Sequence, residues 1–262
     1  MITSKPPRKA TSALAGLALI AFTVPLAACA SVGGPQQLSS PKPEATRVYP
    51  MHTNIVATTF WVGEIFDPNA DDGSQVVSTY DDQWMAHYGG CDGVRNAGKC
   101  DTETRTSANA FFPQAMKPLE NPFYLDLPFD DVNNNKAFSE RGELVPWASD
   151  PGYLGLSQDP NISFMKNRWV RISKDSQVCY GQIEDAGPAE YDDAAYVFGT
   201  ADARPRNKRF KGAGMDVSPA LNGCLGFTQL DGTNDSVNWQ FVEESDVPEG
   251  PWKKLVTTRP AQ

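Results

Sequence analysis

The feature that most constrains this chain is a series of short runs rich in β-branched and aromatic residues, none long enough to make a buried helix. They are Ile55 to Val62, Phe123 to Leu127, Trp169 to Ile172, Val178 to Ile183 and Val237 to Val242. Such runs read as strands. Asp-Gly, Asn-Gly and Gly-Pro pairs between them mark turns, and Trp169 to Ile183 reads as a hairpin around Lys174-Asp175-Ser176. Only Asp192 to Val197 and Val217 to Leu225 invite short helices, the second with Ser218 or Asp216 as cap and Pro219 in its first turn. Asp130 to Phe164 has no clear periodicity and reads as an insertion or lid. The expected class is mainly β: a small barrel with short helices and long loop insertions.

Cysteine usage points to an exported protein. Lys5, Arg8 and Lys9 precede an apolar stretch from Ala13 to Leu26, too short with this flank to span a bilayer, so residues 1–28 read as a secretory signal. It ends in Leu26-Ala27-Ala28-Cys29, which resembles the lipobox of bacterial lipoproteins; that implies lipidation of Cys29 and an extracytoplasmic location, anchored to a membrane. Residues 29–50, rich in Ser, Pro, Gly and Gln, read as a tether, and 51–262 as one domain with its insertion around 130–164. Cys91, Cys100, Cys179 and Cys224 remain, an even number, so two disulfides are expected. Three connectivities are open; we favour Cys91 with Cys100 around a small loop through Gly93 and Gly98, and Cys179 with Cys224 tying two core strands together.

Charge narrows the partners. The formal net charge of −9 becomes −12 once the three basic residues of the signal are removed. Such a surface disfavours nucleic acid and anionic lipid, and among glycans it suits neutral ones better than strongly anionic ones. No metal is expected: the cysteines lack CxxC spacing, and the only histidines are His52 and His87. The acidic loops starting at Asp67, Asp130 and Asp231 lack the glycine or glutamate of a calcium loop, or are simple turns. There is no GxSxG elbow, P-loop, dinucleotide fingerprint or HExxH, and no cofactor is expected. A monomer is expected.

From Trp169 to about Trp252 the chain resembles the six-stranded double-psi β-barrel shared by the bacterial rare lipoprotein A family, expansins, barwin, family 45 endoglucanases and membrane-bound lytic transglycosylase A. The resemblance rests on the strand pair Val170 to Ile183, the turn Asp185-Ala186-Gly187-Pro188, the segment Met215-Asp216-Val217-Ser218 and the closing strand Val237 to Val242. Ala57-Thr58-Thr59-Phe60-Trp61 resembles the first barrel strand. What the resemblance implies is polysaccharide chemistry, with Asp216 at the position of the acid and Asp185 supporting it. The endoglucanases carry a second aspartate just after the aromatic pair; here Val62 follows Trp61 and the nearest acid is Glu64. A histidine found in rare lipoprotein A is also missing from the comparable stretch around Phe112 to Met116. A lone acid suits a lytic transglycosylase, which uses one carboxyl as acid and then base. The alternative is a non-catalytic, expansin-like module that binds or loosens polysaccharide.

Structural roles compete for each residue. Asp185 suits a turn-former and Asp216 a helix cap. Glu184, alternating with Ile183, is expected to face solvent. Trp61, Glu64, Tyr124 and Tyr180 are the candidate sugar-contacting residues, although most strand tryptophans are core. His87 reads as a hydrogen-bonded structural histidine.

Overall fold

The computed structural model describes residues 47–69 and 73–261. The proposed signal, Cys29 and most of the tether lie outside the described residues, as do Asp71 and Asp72. Six strands close into a barrel in the order β1 (His52–Thr59), β7 (Met215–Val217), β4 (Tyr124–Leu127), β6 (Gln177–Ala186), β5 (Trp169–Lys174) and β8 (Asp235–Val242). The pairs β1–β7 and β4–β6 are parallel, and the other four are antiparallel. A separate ribbon pairs β2 (Val94–Asn96) with β3 (Lys99–Asp101). The helices are short: α1 (Trp84–Tyr88), α2 (Asn135–Leu144), α3 (Ala194–Val197) and α4 (Pro219–Leu225). Among the described residues no helix is long and apolar enough to cross a membrane.

Local chemistry explains the elements. The β5–β6 hairpin turns at Asp175, in the left-handed region at φ 51°, which aspartate tolerates better than most residues. α4 starts at Ser218, whose hydroxyl accepts the Leu221 N–H at 3.2 Å, with Pro219 in the first turn and Gly226 closing at φ 65°. Asp216 is therefore not the helix cap; it lies two residues earlier, inside β7.

Both expected disulfides form. Cys91–Cys100 closes the loop that carries the β2–β3 ribbon, and Cys179–Cys224 ties strand β6 to helix α4 rather than to a second strand, because Ser218 and Pro219 start a helix before Cys224. The main core holds Ile55, Leu125, Ile172, Ile183, Val217, Leu221, Trp239 and Phe241 between the barrel strands and α4. The 130–164 segment does not stand off this core as a lid would. Ala137, Val145, Trp147 and Phe164 pack into it, and α2 is capped by Asn134, which accepts from Lys136 and Ala137. Arg141, fully buried, donates to the carbonyls of Asp131, Leu156, Ser157, Asp159 and Ile162 and so organises the irregular chain around it. A guanidinium's fixed fork of donors suits that task. A second, smaller core of Phe60, Val62, Trp84, Tyr88 and Tyr124 lies beneath the loop that leaves β1.

Candidate functional site

Strand register brings three aspartates side by side. Asp216 on β7 lies opposite Asp126 on β4, Asp126 opposite Asp185 on β6, and on the other flank Thr58 of β1 opposite Asp216. Directly paired residues project to the same face of a sheet, so Thr58, Asp216, Asp126 and Asp185 form one row across four strands.

A β-bulge makes the row possible. Between Leu125 and Asp126 the partner strand advances two residues, from Ile183 to Asp185, leaving Glu184 as the extra one. In a regular strand Ile183 and Asp185 would share a face. The bulge sends Ile183 to the core with Leu125, and Asp185 to the opposite side with Asp126. It also overturns the expectation that Glu184 faces solvent: the residue is 1% exposed and its carboxylate pairs with Lys166 at 2.6 Å.

Each acid is held differently. Asp185, buried, accepts the N–H groups of Thr79 at 2.7 Å and of Ala186 at 2.8 Å. Burial lifts its pKa to about 6, and those donors hold it from rising further. Its turn-forming role and its place in the row thus coexist. Asp126, 3% exposed, accepts the backbone N–H of Asp216 at 2.8 Å through Oδ1. Its other oxygen sits so close to Gly187 that a Cβ there would come within 2.4 Å, so only glycine fits. Burial and the neighbouring Asp216 and Asp185 charges push Asp126 well above the usual carboxylate range.

Asp216 keeps partial access to solvent while protein surrounds its carboxyl, and the Thr58 hydroxyl donates to it. Burial first, then the charges of Glu64 and Asp185, lift its pKa to about 8. The raised pKa favours the protonated form at neutral pH. Glu64, half-buried, is raised by burial to about 7. It is presented by a turn in which its N–H bonds Trp61 O at 2.9 Å, with Gly63 at φ 89°, a conformation that favours glycine.

The other sequence candidates are spread out. Trp61 is partly accessible and donates its indole N–H to Cys100 O at 2.8 Å, joining the Glu64 turn to the small disulfide loop. Tyr124 is 1% exposed; its hydroxyl donates to Asp92 at 2.7 Å and accepts from Val62 N–H. Its ring is buried with Phe60, Val62, Trp84 and Tyr88 beneath the β1 exit loop. Tyr180, also buried, packs its ring 5.0 Å from that of Trp252. Trp169, Trp239 and Trp252 are core. His87 bonds Asp81 through Nδ1 at 2.7 Å, a structural contact.

Two cavities of about 390 Å³ lie elsewhere, one lined by Gly89, Gly90, Arg95 and Met116, the other by Glu120, Thr257 and Arg259. Neither includes a member of the row. Among the described residues no group of three or more His, Cys, Asp or Glu is arranged to hold a metal ion.

No family model, curated protein or solved structure matches this chain. The function therefore has to be argued from the site.

Sequence reasoning missed Asp126. The available signal was an acid interrupting an apolar strand, Phe123-Tyr-Leu-Asp-Leu127, a placement that is costly unless the residue meets a partner or a proton.

Proposed function

We propose that this chain is an envelope lipoprotein with a double-psi barrel that cleaves cell-wall or related polysaccharide in the manner of a lytic transglycosylase, with Asp216 as its single acid. The observation that carries the reading is the placement of Asp216, a partly exposed residue in one row with Asp126 and Asp185, its carboxyl bonded by Thr58 and its pKa raised by burial to about 8. Glycosidic cleavage needs such an acid near neutral pH.

In the reaction, Asp216 gives its proton to the bridging oxygen as the bond from that oxygen to the anomeric carbon breaks. The same carboxylate then takes the proton from a hydroxyl of the same sugar as that oxygen closes on the anomeric carbon. Proton and charge return to their starting places and an anhydro sugar results. The two parallel strand pairs of the barrel support the family assignment. The Leu26-Ala27-Ala28-Cys29 segment supports lipid anchoring in an extracytoplasmic compartment.

The test incubates the chain from Ala30 onward with purified peptidoglycan and, separately, with cellulose, and reads released fragments by mass spectrometry. Anhydro-muropeptides that disappear in Asp216→Asn are the expected result. Products with an ordinary reducing end would make the protein a hydrolase. Binding without fragments would make it an expansin-like module.

A further inference from the structure

Asp126 occupies the middle of the row, with Asp216 facing it across β7 and Asp185 across β6. Among the described residues no lysine, arginine or histidine forms an ion pair with any of these three carboxyls. Around Asp126 stand the Asp216 and Asp185 carboxyls and the buried phenols of Tyr80 and Tyr196; farther along the row, Glu64 acts on Asp216 and Asp130 on Asp185. A buried carboxylate with no cation beside it loses its charge by binding a proton.

The three positions differ in what they offer an anion. Asp185 has two backbone N–H donors, and Asp216, a partly exposed residue, has the Thr58 hydroxyl. Asp126 has one N–H, no water-facing surface to speak of and a carboxyl on each side. The centre is therefore where a negative charge is least tolerable.

We infer that Asp126 is a positioning residue held permanently as the neutral acid: it clamps the Asp216 backbone without adding charge to the row. Asp216 then gains and loses its proton against a neutral neighbour, and the row carries its resident negative charge on Asp185. A protonated carboxyl has this advantage over an ionised one, because a charge at 126 would oppose the Asp216 carboxylate formed after proton donation. The inference rests on Asp216 being the acid of the proposed reaction.

The experiment is a carbon-13 NMR titration of the aspartate carboxyl carbons in the full-length protein, with Asp126→Asn and Asp216→Asn as assignment controls. Asp126 is expected to keep the chemical shift of a neutral acid through the pH at which Asp216 ionises. The Asp216 midpoint is expected to stay in place in Asp126→Asn, a neutral replacement that still accepts the Asp216 N–H. An Asp126 carbon that titrates in the ordinary carboxylate range overturns the inference. So does an Asp216 midpoint that falls by about one pH unit in Asp126→Asn, the mark of a lost neighbouring charge. If Asp126→Asn does not fold, the native titration decides alone. With active enzyme, Asp126→Ala should lower kcat with little change in KM, and Asp126→Asn should recover it. Titrations that behave as expected in a protein releasing no fragments would sink the proposed function and leave the role of Asp126 standing.

Discussion

Lys166 and Glu184 form an ion pair at 2.6 Å in which both side chains are 2% exposed. One Glu184 oxygen, Oε1, has no hydrogen-bond partner. Burial lifts the Glu184 pKa to about 7 although Lys166 opposes the rise. The pair anchors the bulge that turns Asp185 into the row.

Removing one partner leaves the other buried and alone. Glu184→Ala should destabilise the fold by about 3–5 kcal/mol, whereas the double change Lys166→Met with Glu184→Leu should cost far less. Urea denaturation of the three proteins checks this. Equal losses in the single and double variants would show that packing, not charge, sets the cost.

Stability should fall as the solution becomes alkaline. Glu64, Asp131, Glu184, Asp185 and Asp216 all have folded pKa values raised by burial, to between about 6 and about 8. Their protonated forms favour the native state, so their contribution is complete below about pH 4 and is lost as pH rises through 6 to 8. His52 acts in the opposite sense. It is fully buried, stacked on Trp239 at 4.1 Å with neither ring nitrogen bonded, and burial lowers its pKa to about 4. Its contribution is present above about pH 6.5 and lost as pH falls toward 4. Because five acids oppose one histidine between pH 4 and 6.5, the melting temperature should be highest near pH 4 to 5 and fall above it, and His52→Phe should steepen that fall. A maximum above pH 7 in calorimetry would contradict the burial of these acids.

Glu64→Gln separates two chemistries. Loss of the Glu64 charge should lower the Asp216 pKa and move the alkaline limb of activity to lower pH, with anhydro products unchanged. Complete loss of activity would instead mark Glu64 as a second catalytic carboxylate, and with it hydrolysis.

The disulfides should differ in weight. Cys179–Cys224 spans 45 residues and Cys91–Cys100 spans 9. Chain entropy assigns them about 4 and about 2.6 kcal/mol respectively. The double alanine variant of the first pair should therefore melt several degrees below that of the second, measured by circular dichroism. The reverse order would mean that the small loop does more than restrict the unfolded chain.

Much of the barrel was legible because its information is local. Alternating β-branched and aromatic runs, the Asp175 turn and the Ser218-Pro219 cap each act within a few residues. The 130–164 segment was not legible, because α2 is stabilised by what Arg141 reaches across 10 to 21 residues of irregular chain. Periodicity carries no trace of such contacts.

Local patterning is enough to specify a mainly β chain with an even set of four cysteines and acids at Asp185 and Asp216 beside apolar strand residues. Which acids meet depends on how the strands pair. Asp126 joins them through cross-strand register, and a single extra residue at Glu184 reverses the face of everything after it. Side-chain direction in a strand depends on pairing counted from the neighbouring strand. That count exists only once the strands are brought together.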